Sequence, residues 1–129
     1  MRRSSGSTNA VRHLTHDQAV AALRRGKAVE QLLQSEPRDG RATVRWISVF
    51  RSGEAFVVTA HHVYDEGDAD FLDLSEFEPV DDEEYAGEGV EVARHSRPEE
   101  ALNAARGHGA TSERWVNQGV LADEYADMR

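Results

Sequence analysis

TVRWISVFRSGEAFVVTA, Thr43 to Ala60, is the stretch that decides the fold. Thr43-Val44-Arg45-Trp46-Ile47-Ser48-Val49-Phe50 is rich in β-branched and aromatic residues, and so is Phe56-Val57-Val58-Thr59-Ala60. Such runs suit a pleated, half-buried surface. Ser52-Gly53 lies between them, and a two-residue turn there closes an antiparallel hairpin. That register pairs Arg51 with Glu54, Val49 with Phe56, Ile47 with Val58 and Trp46 with Thr59. Cross-strand partners share a face. Ile47, Val49, Phe56, Val58 and Ala60 therefore form a core side, and Val44, Trp46, Ser48, Phe50, Val57, Thr59 and His61 form the other. The second side is half apolar, so it is either covered by a helix or open as a binding surface.

Upstream, Thr15-His16-Asp17-Gln18 has the capping-box pattern, a hydroxyl followed three residues later by Gln. A helix follows, with Ala19, Val20, Ala22 and Leu23 as its apolar stripe and Gly26 at its end. Ala28 to Gln34 reads equally as strand or helix, and Pro37-Arg38-Asp39-Gly40 is a turn. Residues 1–12, rich in Ser, Gly, Thr and Asn, read as a disordered leader ahead of a single domain spanning 13–129.

Downstream, Phe71 to Phe77 reads as a short third strand, interrupted by Pro79, and Val90 to Ala93 as another. Ser96-Arg97-Pro98-Glu99 has the form of a second capping box, opening a helix from Glu99 to Arg106 that ends at Gly107. Trp115-Val116-Asn117 reads as a last strand. Leu121, Tyr125 and Met128 then share one face of a final helix. This order predicts an α+β domain. It has a mostly antiparallel sheet of about four to five strands, an N-terminal helix, and one or two C-terminal helices.

The chain has 129 residues, enough for one ordinary domain, with 39% hydrophobic content and no cysteine. Disulfides, thiolate metal sites and cysteine nucleophiles are excluded. No apolar run approaches the ~20 residues of a membrane span, and the basic start leads into no apolar h-region. These features point to a cytoplasmic protein. Arginine outnumbers lysine fourteen to one, as expected of a GC-rich bacterial genome.

Charge is segregated along the chain. Residues 1–51 carry +6, residues 52–93 carry −14 with no Lys or Arg, and residues 94–129 carry −1, consistent with the net −9. Segregated charge makes a directed field, which concerns partners and association rates. The phosphate backbone of nucleic acid would repel such a chain. Arg2, Arg3, Arg12, Arg24, Arg25 and Lys27 soften that argument, but they are not interleaved with aromatics. Within the acidic stretch Phe71, Leu72, Leu74, Phe77 and Val80 recur, which favours a folded edge over a disordered tail. Asp65, Glu66, Asp68, Asp70, Asp73 and Glu76 then mark one side of a partner-binding surface, and Asp81, Asp82, Glu83 and Glu84 the other. Trp46 and Phe50 are the aromatic candidates for contact.

His61, His62, Tyr64 and Asp65 form the densest set of potential catalytic groups. Adjacent strand residues face opposite ways, so His61 and His62 cannot share one metal without a bulge. The following Asp residues lack the calcium-loop order. Ser48, Thr59 and His61 share a face, and a nucleophile–base pair there is less expected than a structural one. Asp123, Glu124 and Asp127 read as a solvated helix face. No catalytic residue, metal or cofactor is assigned. The leading expectation is a non-enzymatic acidic protein that recognises a basic protein, in the manner of an immunity protein or antitoxin-type inhibitor of a nuclease-like toxin. The alternatives are a small metal-binding or hydrolytic domain centred on His61, His62, Tyr64 and Asp65, and a homodimer formed through the Trp46/Phe50 face.

Overall fold

A computed structural model of the chain describes residues 12–68, 71–80 and 89–128. Its elements are α1 (His16–Arg24), β1 (Val29–Leu33), β2 (Thr43–Ser52), β3 (Ala55–Tyr64), a 3₁₀ turn (Leu74–Glu76), β4 (Val90–His95), α2 (Pro98–Arg106), β5 (Val116–Asn117) and α3 (Leu121–Met128). The strands form one antiparallel sheet in the order β4-β3-β2-β1-β5. The expected α+β architecture is present, and Ala28 to Gln34 resolves as strand. Its burial alternates residue by residue, Val29, Gln31 and Leu33 inward on one face.

The β2–β3 hairpin has the expected faces but a different register. Arg51 pairs with Phe56, Val49 with Val58, Ile47 with Ala60 and Trp46 with His61. The loop is Gly53-Glu54, closed by Ser52 and Ala55, with Gly53 at φ 61°. A glycine with positive φ at the first loop position suits the right-handed twist of the strands. The register moves by two residues, and side chains alternate with period two, so no side chain changes face.

One face of the sheet packs under α1 and α2. Ala19, Ala22, Leu23, Val29, Ile47, Val49, Val58, Ala101, Leu102 and Ala105 form this layer. α1 begins with the expected capping box: Thr15 Oγ1 accepts from Gln18 N at 3.1 Å, and Gln18 Oε1 accepts from Thr15 N at 2.9 Å. α2 starts differently. Arg97 is its N-cap without a side-chain hydrogen bond, so the expected Ser96 box does not form. Pro98 at the first position supplies a preset φ and lacks an N–H that would need a partner.

The other face is covered in part by α3 and by residues 71–80. Val44, Trp46, Val63, Leu74, Phe77, Val116, Leu121 and Tyr125 pack there. Met128 was expected on this face too, but it is 53% exposed at the helix end. The expected strand over Phe71 to Phe77 is instead a 3₁₀ turn. Asp73 Oδ1 accepts from Ser75 N at 3.1 Å and from Ser75 Oγ at 2.6 Å, a local bond that competes with a strand ladder. The turn brings Leu74 and Phe77, three apart, inward together. Pairing resumes beyond it. β4 meets β3 only as far as Ala60, and residues 78–80 then take the free edge: Tyr64 N donates to Glu78 O and Val80 N to His62 O, both at 2.9 Å.

Candidate functional site: an acidic edge beside a cleft in the sheet

The acidic stretch is tied to the sheet by its own carboxylates. Asp65 accepts from the Tyr125 hydroxyl and, at 3.2 Å, from Gly67 N. Tyr125 passes so close to Gly67 that a Cβ there would collide with its ring. Glu66 accepts from Glu78 N at 2.7 Å, joining the two ends of the segment. Asp68 and Phe71 exchange backbone hydrogen bonds, at 3.1 and 3.2 Å. Asp73 is spent on Ser75, while Glu76 is exposed. Asp70, Asp81, Asp82, Glu83 and Glu84 lie outside the described residues. Among the described residues, one cation enters the acidic edge. The Arg41 guanidinium lies 3.3 Å from Glu78, 3.9 Å from Glu66, and 3.8 Å above the centre of the Tyr64 ring. Such exposed pairs add at most about 1 kcal/mol each, so their effect is to orient the carboxylates.

The four residues of the metal or hydrolytic alternative do not converge. His61 faces the cleft side of the sheet, stacked on Trp46 at 4.5 Å between ring centres. His62, next in the strand, faces the opposite way, Tyr64 is under Arg41 and Asp65 is bonded to Tyr125. Among the described residues no three His, Asp or Glu side chains are grouped to hold a metal ion.

Trp46 is buried rather than presented to a partner, and Phe50 is half-buried in the wall of a cleft. The cleft measures about 800 Å³ and opens on the sheet face that α3 covers only partly. Strand register builds its floor. Glu30, Ser48 and Thr59 are consecutive partners across β1, β2 and β3, and Trp46 pairs with His61 in a neighbouring row. Leu72 to Ser75 form one wall, and Gln118, Gly119, Leu121 and Ala122 another.

Glu30 is the residue that sequence reasoning missed. It accepts from Ser48 Oγ at 3.2 Å and from Gly119 N at 3.4 Å. Burial pushes its pKa up, and these two bonds oppose the shift. The signal was a lone carboxylate inside VEQLL, once that run is known to be a strand. Burial also holds the His61 pKa down at about 4, so the imidazole is neutral near pH 7. Thr59 Oγ1 lies 3.3 Å from His61 Nε2, whereas the Ser48 hydroxyl is turned to Glu30. Ser48 and His61 therefore form no nucleophile–base pair.

Two further expectations need correction. Glu124 is buried, with 9% of its surface exposed, and holds Arg12 at 3.0 Å and His13 at 2.5 Å. Asp127 also pairs with Arg12, at 2.6 Å. This end of α3 is a clamp on Arg12 and His13, not a purely solvated face. It also ties down Arg12, the last residue of the expected leader and one of the candidate phosphate contacts. No helix among the described residues is long and apolar enough to cross a membrane. Comparison with protein families, with curated proteins and with solved structures found no match.

Proposed function

We propose that this chain is a non-enzymatic binding protein whose acidic edge recognises a basic protein, as an immunity protein or antitoxin covers the basic site of a nuclease-like toxin. The observation that carries this reading is the run from Ser52 to Ala93, with fourteen carboxylates and no Lys or Arg, in which residues 65–68 and 71–80 are fastened to the sheet. Leu74 and Phe77 anchor that segment in the core, and the Glu66–Glu78 bond closes it. Asp68, Glu76 and Glu78 are exposed on this segment. Charges on an ordered backbone steer encounter and lose little freedom on docking. The metal or hydrolytic alternative has less support, because His61, His62, Tyr64 and Asp65 point to separate surroundings.

The test is association kinetics with the protein that the chain recovers from extracts of its source at low salt. Steering predicts that k_on falls about tenfold or more as salt rises from about 20 mM to physiological strength. It also predicts that D68N, E76Q and E78Q together reduce k_on at low salt without altering the fold. A k_on that ignores both salt and these substitutions removes the proposal.

A further inference from the structure

The cleft has an electrostatic imbalance that the acidic edge does not use. Among the described residues two carboxylates line it, Glu30 and Asp73, and no Lys or Arg does. Asp73 is occupied by Ser75. Glu30 receives one neutral donor on each oxygen, which orients the carboxylate without neutralising it. No ion pair joins Glu30 to a basic side chain among the described residues. The one imidazole in the cleft cannot serve near neutral pH, because burial keeps His61 uncharged.

Apart from the neutral polar groups of Ser48, Thr59, His61, Ser75 and Gln118, the rest of the lining is aromatic or apolar. Phe50 and Trp46 contribute rings, with Leu74 and Leu121 opposite. A space of this size suits a small organic molecule. A half-buried carboxylate in a mostly apolar cleft favours a group that brings a positive charge and an apolar body together. Aromatic faces add to the attraction for a cation.

We propose that the cleft is a site for an organic cation, a guanidinium, amidinium or ammonium group on a flat or apolar body, with Glu30 as its counter-ion. The same chemistry can arrive on a free amine or on an arginine side chain of the basic partner. The second source rests on the function proposed above, whereas the first stands without it.

The probe is benzamidine, titrated into the full chain and followed by calorimetry and tryptophan fluorescence. Trp46 lines the cleft and Trp115 is buried in the α1/α2 layer, so a fluorescence change reports Trp46. Benzamide, the neutral isostere, is the control. Benzamidine is expected to bind at least about tenfold more tightly than benzamide, the effect of one charge-assisted contact. Glu30→Gln should reduce benzamidine to the benzamide level with an unchanged circular dichroism spectrum. Ala122→Phe, which fills the cleft from α3 and leaves Glu30 in place, should abolish both. A blocked arginine peptide that binds more tightly than benzamidine assigns the site to a protein side chain, and the reverse order assigns it to a free amine. Equal affinity for benzamidine and benzamide overturns the proposal, as does full benzamidine affinity in Glu30→Gln. If the cleft ignores benzamidine while a basic partner still associates in a salt-dependent way, the cation site fails and the acidic-edge reading stands.

Discussion

The two faces of the sheet are built from the same strands but obey different rules. Under α1 and α2 the layer is almost wholly apolar, and its buried amide is bonded at both ends: Gln31 Oε1 accepts from Thr111 N at 2.7 Å and Nε2 donates to Thr111 O at 2.8 Å. On the α3 side, Glu30, Ser48, Thr59 and His61 occupy positions that the first face gives to valine and isoleucine. The helix there covers only part of the sheet. The first face stores stability. The second gives some of it up to keep polar groups half-dry and oriented, a pattern common at functional sites.

The sharpest way to break this contrast is to damage the dry face. Leu23→Ala should cost about 3 kcal/mol, because Leu23 is completely buried between α1 and the sheet and its removal leaves a cavity. Urea unfolding checks this. A loss under 1 kcal/mol would mean that this layer collapses easily and is not the rigid half.

The next largest effect belongs to His61 and depends on pH. Its folded pKa of about 4 lies below the ordinary 6.5, which it regains on unfolding. The unfolded chain therefore takes up this proton first. Stability is untouched by His61 above pH about 6.5, falls as pH drops toward 4, and changes no further below that. The full window is worth up to about 3 kcal/mol. Glu30, with its raised pKa, contributes in the opposite sense, and Asp73 is the remaining titratable group of the cleft. The comparison is thus between the parent and His61→Phe, which keeps a ring against Trp46. The variant should lose less stability between pH 7 and pH 5, and parallel curves would show that His61 is well hydrated.

The smallest effect should have the opposite sign. Glu30→Gln removes a desolvated charge; its amide oxygen can still accept from Gly119 N and its NH2 can donate to the Ser48 hydroxyl oxygen, so melting temperature at pH 7 should rise slightly. A clear fall would show that the carboxylate already has compensation within the chain.

Much of the fold was legible in short patterns. The capping box at Thr15, the two faces of β2 and β3, and the α1 stripe all depend on neighbours three or four residues away, or on simple alternation. The hairpin register was less legible, because Ser52-Gly53 and Gly53-Glu54 are both acceptable loops and only long-range packing separates them. The 71–77 segment misled because alternating apolar residues resemble a strand, while the Asp73–Ser75 bond makes a 3₁₀ turn the better local choice. The candidate surface was half legible. Its carboxylates stand out in the sequence, but Arg41, which orients two of them, is distant in the chain. Glu30 was hidden for the same reason. Nothing near it in sequence shows that Ser48 and Gly119 will bond to it, or that His61 will line the same cleft.

Charge segregation, strand alternation and the absence of cysteine were determined by the sequence alone, since each is a property of composition or of neighbours along the chain. The tertiary structure decided which of the described carboxylates are held by hydrogen bonds, that Glu124 is buried beneath Arg12 and His13, and that a cleft opens beside the acidic edge in which Glu30 has no basic partner among the described residues. Those outcomes depend on which residues β1, β2, β3 and α3 bring together across long chain separations. Burial, which raises the pKa of Glu30 and lowers that of His61, exists only once those layers have packed.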